Sequence, residues 1–303
     1  MRPVTVAAVQ VAPSPQPLTS ASIAENAQRA VALIRSCYAA TGAELIVLPE
    51  SVTTGFTPGV DRDELWELMS DLPGPFTEVA HELGIHLVLG TYRRGSTRPV
   101  VHNAAVVIGA GGTLLGTYHK THPFGGERAD RGGWVTPGDD VLVVETPLAR
   151  IGVIICFDGD YPELARITAI RGAEILCRPS ALLRSADLWE LTNRARAYDN
   201  HVYVIGSNAT GVDPAGTIYF GNSMIVTPIA EVVARAASHE CWISARLDPE
   251  SALSSLTPGS SVPQPFDHLA DRNLAVIRRH ADALLGEARS PFPRTGRDTD
   301  VVD

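Results

Sequence analysis

The chain has 303 residues, 45% of them hydrophobic and 19% charged, and it carries a formal net charge of −9. This composition is typical of a soluble globular protein with one large domain or two small ones. The acidic excess argues against nucleic acid or an anionic membrane as a partner, because both bind basic surfaces. No stretch approaches the roughly 20 apolar residues of a membrane span, and the N-terminus lacks a signal-peptide core, so we expect a cytoplasmic protein.

The four cysteines are scattered along the sequence without any CxxC pair. His119 and His122 lie close together, but no cysteine pair stands at the spacing that would complete a zinc site. These patterns predict reduced cysteines and no bound metal.

Apolar runs and helix signals alternate along the chain and predict an α/β fold with some antiparallel hairpins. Helices are predicted at residues 22–40, 75–83, 162–171 and 187–200, and strands at 4–11, 42–50, 86–92, 101–108, 114–118, 141–145, 151–155, 173–177, 202–207, 223–227, 231–236 and 241–246. The first helix is predicted to open with a capping box formed by Ser22 and Glu25. Glycines at 109–112 predict a tight turn between two hairpin strands.

A short sequence recurs in the two halves of the chain. Residues 42–50, Gly-Ala-Glu-Leu-Ile-Val-Leu-Pro-Glu, are echoed by residues 172–180, Gly-Ala-Glu-Ile-Leu-Cys-Arg-Pro-Ser. Each copy follows a helix, and each helix follows an apolar strand. The echo indicates two similar halves whose strand ends meet at one cleft, with a chance match as the alternative.

The strongest functional signal lies in residues 150–166. The apolar run at 151–155 is typical of a strand buried on both faces, and Pro162 with Glu163 marks a helix start. Cys156 is thereby placed in a tight turn between the carboxyl end of a strand and a helix. Such turns expose a nucleophile beside free backbone N–H groups, although a small buried cysteine of the core is the structural alternative.

Two further residues at predicted strand ends complete a pattern with Cys156. Glu50 ends Leu-Pro-Glu, and Lys120 lies in Tyr-His-Lys-Thr-His. Together with Cys-Phe-Asp-Gly-Asp-Tyr-Pro-Glu at residues 156–163, these motifs resemble, in order, the three that carry the Glu-Lys-Cys triad of the nitrilase superfamily of carbon–nitrogen hydrolases. The chain departs from the family pattern in the histidine before the lysine and in the exchanged aromatic residues after the cysteine.

Weaker markers extend the resemblance over residues 4–247. Residues 196–200, Arg-Ala-Tyr-Asp-Asn, and residues 221–228, Gly-Asn-Ser-Met-Ile-Val-Thr-Pro, are similar to family segments in the expected order. The resemblance implies a four-layer αββα sandwich with mixed sheets, a small-molecule amide or carbamoyl substrate, and no cofactor.

The resemblance also implies roles for individual residues. Cys156 would attack the substrate carbon, and Glu50 would serve as the general base that later activates water. Lys120 and the backbone N–H of Phe157 would bind the oxyanion. The family often carries a second glutamate after the lysine; Glu127 matches it best and is expected beside Lys120.

Ordinary structural roles stand beside these assignments. Glu50 could simply end a strand, and Lys120 could be a solvated loop lysine. Glu127 lies among Arg128, Asp130 and Arg131 and could belong to a surface cluster. The Asp-Gly-Asp at residues 158–160 is better interpreted as a helix N-terminal cap than as a metal or phosphatase motif.

The residues after Cys156 favour an amide as the substrate. Family members that take nitriles typically carry Cys-Trp-Glu, whereas Cys-Phe-Asp resembles the amidase and carbamoylase branches. An N-carbamoyl amino acid is the second interpretation, and its carboxylate would need an arginine such as Arg178 or Arg184. Ser180 is a further candidate for substrate binding, with an ordinary strand-end role as the alternative for all three.

After residue 247 the pattern changes to Pro/Ser/Gly-rich sequence. A helix is predicted at 271–285, and residues 290–303 are expected to be mobile or bound to a partner. We therefore divide the chain into a hydrolase domain, 1–247, and an extension, 248–303, that packs at a subunit interface. The family habit of homo-oligomers predicts a homodimer or a higher even-numbered oligomer. A non-catalytic interaction protein is disfavoured because no triad residue is lost.

Overall fold

Two six-stranded sheets form the centre of the molecule. The computed structural model describes residues 1–69, 74–213, 215–250 and 267–286. Its helices are α1 Ser20–Thr41, α2 Arg62–Leu68, α3 Gly74–Leu83, α4 Pro162–Ile170, α5 Ala186–Asn200, α6 Leu274–Arg279 and α7 Ala281–Leu285. Its strands are β1 Val4–Gln10, β2 Leu45–Val47, β3 His86–Arg94, β4 Val101–Ile108, β5 Leu114–His119, β6 Leu142–Glu145, β7 Arg150–Val153, β8 Ile175–Ser180, β9 Tyr203–Asn208, β10 Thr210–Val212, β11 Ile218–Phe220, β12 Met224–Val226, β13 Val232–Arg235 and β14 Cys241–Leu247.

Each sheet is built around three parallel strands. The first sheet has the order β14-β1-β2-β3-β4-β5, with β1, β2 and β3 parallel. The second has the order β13-β12-β9-β8-β7-β6, with β7, β8 and β9 parallel. The outer strands pair antiparallel, and β10 and β11 form a separate hairpin. Helices connect the parallel strands, so these strands point their carboxyl ends the same way.

Apolar side chains fill the space between the sheets and the space beneath the helices. Val47 of the first sheet and Ile175 of the second belong to one buried cluster. On the opposite face of the first sheet, Ile46 packs with Phe76 of α3. Because successive strand residues point to opposite faces, each sheet separates two apolar layers. The predicted αββα sandwich with mixed sheets is confirmed.

The two Gly-Ala-Glu segments occupy corresponding places in the two sheets. The first leads into β2 and the second into β8, each the middle strand of its parallel three. Their glutamates make matching bonds: Glu44 accepts the Thr5 N–H at 3.4 Å, and Glu174 accepts the Arg150 N–H at 2.9 Å. The sheets thus have the two-half arrangement that the echo predicts.

Helix α1 begins with a different cap from the predicted one. Thr19 is the N-cap residue: its Oγ1 accepts the Ser22 N–H at 3.1 Å, while Ser22 Oγ accepts the Thr19 N–H at 2.9 Å. The predicted box of Ser22 with Glu25 is therefore wrong, because a serine at the third helical position also returns the reciprocal bond.

The sequence patterns do not predict the shortest helices and strands. Helix α2 has 7 residues and strands β10 and β11 have 3 each, too few for a clear period. The helix predicted at 271–285 is two short helices that meet at His280. The predictions for residues 251–266 and 287–303 lie outside the described residues. In the described part of the chain, no helix combines the length and apolar character needed to span a bilayer.

Candidate active site

The ends of three strands from both sheets bring Glu50, Lys120 and Cys156 to one place. Glu50 follows β2, Lys120 follows β5 directly, and Cys156 follows β7. Lys120 Nζ lies 2.7 Å from Glu50 Oε1 and 2.8 Å from Glu127 Oε2, and all three side chains are fully buried. The predicted neighbour of the lysine, Glu127, is therefore beside it, in the 3-10 turn Gly125–Glu127.

A residue that the sequence analysis missed links the two glutamates. Asn103 Nδ2, on β4, donates to Glu50 Oε1 at 2.6 Å and to Glu127 Oε1 at 2.5 Å. The one feature of the sequence that points to Asn103 is that a polar residue interrupts the apolar run of β4. The backbone N–H of Ala181 binds the other Glu50 oxygen, Oε2, at 2.8 Å. Both carboxylates are thus held by several donors.

Burial and charge act in opposite directions on this cluster. Burial alone would lower the pKa of Lys120, but the charges of Glu127 and Glu50 outweigh it and raise the pKa well above its ordinary value. Burial raises the pKa of Glu127, against the opposing effect of Lys120. Lys120 is therefore held as a cation between the two carboxyl groups. Glu127 takes up a proton at a higher pH than an ordinary glutamate does.

Cys156 opens the 3-10 turn Cys156–Asp160 in a left-handed conformation, with φ of 44°. A side chain in this region is strained, and such strain is typical of nucleophile turns. The thiol is almost fully buried. Burial and the charge of Glu50 raise the pKa of the thiol, while Lys120 and Arg178 oppose the shift. The thiol therefore needs a base at the moment of attack.

Asp158 ties the cysteine turn to the loop that follows Lys120. Its Oδ2 accepts the Tyr118 hydroxyl at 2.7 Å and the Ile155 N–H at 2.9 Å, and its Oδ1 accepts the His122 N–H at 2.9 Å. Helix α4 has Tyr161 as its N-cap residue, without a side-chain capping bond. The predicted capping of the helix that begins at 162 is therefore wrong; Asp158 instead caps its own 3-10 turn and joins loops from the two sheets.

A small pocket adjoins Cys156. Its walls are Phe56, Phe124, Phe157, Ala181, Leu182, Leu183 and Arg184. A second small pocket shares Phe56 and Ala181 and reaches Glu50. A larger cavity lies beside α1, but none of the cluster residues lines it. We take the pocket at Cys156 as the candidate substrate site because the candidate nucleophile lines it.

Of the remaining predicted site residues, two line the pocket and two do not. Phe157 and Arg184 line the pocket. Ser180 is buried, and its hydroxyl donates to the Arg178 carbonyl at 3.2 Å. Arg178 is fully buried behind the cysteine turn, where its N–H groups bind protein acceptors, among them the Cys156 carbonyl. This placement argues against the predicted substrate-binding roles of Arg178 and Ser180.

Among the residues that the structure describes, no group of three or more His, Cys, Asp or Glu side chains is arranged to hold a metal ion. The charged groups at the pocket are instead paired with one another.

The family model for carbon–nitrogen hydrolases matches residues 5–253, which include all the residues of this cluster. The chain belongs to the carbon–nitrogen hydrolase family. The omega-amidase NIT2 of Xenopus tropicalis is 36% identical over 244 residues, covering 77% of this chain and 86% of that protein. The human omega-amidase NIT2 is 32% identical over 231 residues, covering 74% and 83%.

Solved structures of carbon–nitrogen hydrolases share the fold. One from Helicobacter pylori G27 matches with a TM-score of 0.77 at 24% identity, covering 92% of this chain and 98% of that chain. An amidase from Nesterenkonia sp. matches with a TM-score of 0.73 at 20% identity, covering 91% and 95%. The predicted membership of the nitrilase superfamily and the prediction of an amidase-type carbon–nitrogen hydrolase are confirmed.

Proposed function

We propose that this hydrolase cleaves a small amide to a carboxylate and ammonia through a thioester on Cys156. One observation carries the proposal: a buried lysine is bound to two carboxyl groups beside a strained cysteine that faces a pocket. Acyl transfer needs a nucleophile, a base and an oxyanion donor, and this cluster contains a candidate for each.

Glu50 is proposed as the base that serves both halves of the reaction. The Cys156 sulfur attacks the amide carbon while Glu50 takes the thiol proton. When the C–N bond breaks, Glu50 returns that proton to the leaving nitrogen, so ammonia departs and a thioester remains. In the second half Glu50 takes a proton from water, which attacks the thioester; the C–S bond breaks, and the proton returns to the sulfur.

Lys120 is proposed as one donor to the oxyanion. An ammonium group has three N–H bonds, of which two point to Glu50 and Glu127. The third remains for the oxygen of the tetrahedral intermediate. Glu127 accepts bonds from Lys120, Asn103 and the Phe124 N–H, so we assign it the task of orienting the lysine.

The pocket favours an amide that carries a carboxylate at its far end. Its walls are mostly aromatic and aliphatic, and Arg184 is the cation among them. The guanidinium lies 5.5 Å from the centre of the Phe157 ring and is held by Asp160, which leaves other N–H groups of Arg184 for a ligand. The omega-amidase relatives support an ω-amide over the second candidate, an N-carbamoyl amino acid, which carries a carboxylate too.

Ammonia release from matched substrates tests the proposal. We compare the monoamides of succinic and glutaric acid with butyramide and valeramide, which lack the carboxylate, and with N-carbamoyl amino acids. Activity on the monoamides that disappears in Cys156→Ala supports the mechanism; activity that survives this substitution excludes it. Faster turnover of the carbamoyl compounds would favour the second candidate.

The role of Arg184 has its own variant. Arg184→Gln should raise KM for the monoamides by roughly 10- to 100-fold, the scale of one charge-assisted interaction, and leave butyramide hydrolysis unchanged. Arg194→Gln, an exposed arginine on α5, serves as the control. Equal losses of activity on charged and uncharged amides would show that Arg184 does not bind the carboxylate of the substrate.

A further inference from the structure

Arg178 makes two hydrogen bonds to the carbonyl of the cysteine proposed as nucleophile. From β8, its Nε and Nη2 donate to Cys156 O at 2.9 and 2.7 Å. Its Nη1 is anchored on α5 by Thr192 Oγ1 at 2.8 Å and Asn193 Oδ1 at 2.9 Å. A fully buried guanidinium thus fixes one peptide group of the cysteine turn to a rigid helix.

The peptide group held in this way also contains the Phe157 N–H. Because a peptide is planar and this one is trans, its N–H points away from its carbonyl oxygen. The first hydrogen bond of the turn runs from the Asp158 N–H to the Ile155 carbonyl at 2.9 Å, so the Phe157 N–H precedes the turn's own bonds. In the described part of the chain, no acceptor binds this N–H.

We propose that Arg178 is a positioning residue for the oxyanion site. By holding the Cys156 carbonyl from behind, it directs the Phe157 N–H toward the substrate oxygen. Two charge-assisted donors on a carbonyl also polarise the peptide, which strengthens its N–H as a donor. The inference rests on the proposed thioester mechanism, with Lys120 as one oxyanion donor and the Phe157 N–H, which the family resemblance implies, as the other.

The surroundings of Arg178 require its flat, forked shape. A Cβ at Gly159 would overlap the guanidinium, so the turn packs directly on the planar group. On another side, the guanidinium carbon lies 4.9 Å from the centre of the Trp189 ring. A lysine could neither bond one carbonyl twice nor fill this flat space.

The charge of Arg178 persists despite its burial. Burial lowers its pKa to about 10, which leaves the group cationic at neutral pH. Asp160 Oδ1 lies 3.8 Å from its Nη2 and compensates part of the charge. The cation therefore remains behind the turn throughout the reaction and needs no rearrangement as the oxyanion forms.

The test compares Arg178→Lys and Arg178→Met with Arg196→Lys. Arg196 is a matched control, because its Nε binds the Gly159 carbonyl of the same turn at 3.0 Å but does not contact the Cys156–Phe157 peptide. If Arg178→Met does not fold, Thr192→Val is used instead. This variant keeps Arg178 and removes one of the hydrogen bonds that anchor its guanidinium.

Three readouts separate positioning from a merely structural role. The first is kcat and KM on the best amide, the second is the affinity for the corresponding aldehyde, and the third is the affinity for the product acid. The aldehyde is informative because its adduct with Cys156 places an oxygen in the oxyanion site. We expect kcat and aldehyde affinity to fall together by about 100-fold in both Arg178 variants, with KM and product affinity within about 3-fold of wild type. Thr192→Val should show the same pattern with a smaller factor.

Normal kcat in a folded Arg178→Met protein would overturn the inference, and so would equal losses in Arg196→Lys. A parallel loss of product affinity would also refute it, because that loss indicates general damage to the pocket. These failures differ from failure of the proposed function, in which Cys156→Ala would remain active.

Discussion

Lys120 controls the charge balance of the site. It is one cation between two buried carboxyl groups, so the fully ionised cluster has an excess negative charge. That excess is consistent with the raised pKa of Glu127. Asn103 offsets part of it with a neutral donor to each carboxylate.

Replacing Asn103 should therefore move the acid limb of the pH–rate profile. The hydrogen bond from Asn103 stabilises the ionised form of Glu127, so its loss in Asn103→Leu raises the Glu127 pKa further. Activity that needs the ionised group will then disappear at a higher pH on acidification, by about one pH unit for one bond to a charged group. The kcat/KM profile measures this shift.

Asn26→Leu provides the control for that experiment. Asn26 is also a buried asparagine, but its side chain binds the Ser14 N–H and the Thr53 carbonyl outside the cluster. Its replacement should lower thermal stability without moving the acid limb. An acid limb that stays in place in Asn103→Leu would contradict the assigned role.

The strain at Cys156 should be measurable as an unusual tolerance for glycine. At φ of 44° a side chain is unfavourable, whereas glycine adopts this conformation freely. We expect Cys156→Gly to be at least as stable as Cys156→Ala in denaturant unfolding. At Cys177, inside β8, the same comparison should favour alanine by about 1 kcal/mol. Equal preferences at the two positions would argue against strain in the turn.

At the scale of elements, the position of Glu50 depends on the contact between the end of β2 and strand β3. A Cβ at Gly90 would overlap the carbonyl of Pro49 and the Cα of Glu50, and the Gly90 carbonyl accepts the Val52 N–H at 3.1 Å. Because Gly90 has no side chain, the proposed base Glu50 can lie close to β3.

Gly90→Ala should displace Glu50 and lower kcat/KM by about 100-fold, because small displacements of a reacting group have effects of that size. Gly109→Ala is the matched control: it lies after β4 in the same sheet, and the nearest atoms to its new methyl group belong to the flexible side chain of Leu115. A crystal structure of Gly90→Ala that shows Glu50 in place, with full activity, would refute this account.

At the scale of the whole molecule, the extension presents an apolar surface. In the described residues 267–286, Leu274, Val276, Ile277, Leu284 and Leu285 are exposed. His268 attaches the segment to α5, with its Nδ1 2.7 Å from the Tyr198 carbonyl. We propose, as the sequence predicts, that this surface packs against another subunit.

Analytical ultracentrifugation tests this packing. The wild-type mass should be an even multiple of 32.3 kDa, and Val276→Asp should reduce it, because an aspartate in an apolar contact is costly to bury. Arg279→Ala, on the same helix, should leave the mass unchanged. A monomeric wild-type protein would disprove the proposed packing.

The sequence by itself was sufficient for the fold class and the family, and its resemblance to that family singled out Glu50, Lys120 and Cys156 as the candidate triad. Strands and helices follow from local periodicity, whereas the three residues stand in motifs identified by their resemblance to those of the family. Glu127 was predicted from the family's second glutamate after the lysine, and the structure places it beside Lys120. These features are local, so a single chain reveals them.

Only the tertiary structure decided how these residues are supported. Asn103 contacts a glutamate 53 positions away, and Arg178 reaches a carbonyl 22 positions away in the turn that follows the neighbouring strand β7. No local pattern predicts which carbonyl a buried guanidinium will bind, or whether Asp158 will cap a helix or join two loops. Such roles depend on sheet packing and on pairing every buried polar group, and both are properties of the folded chain.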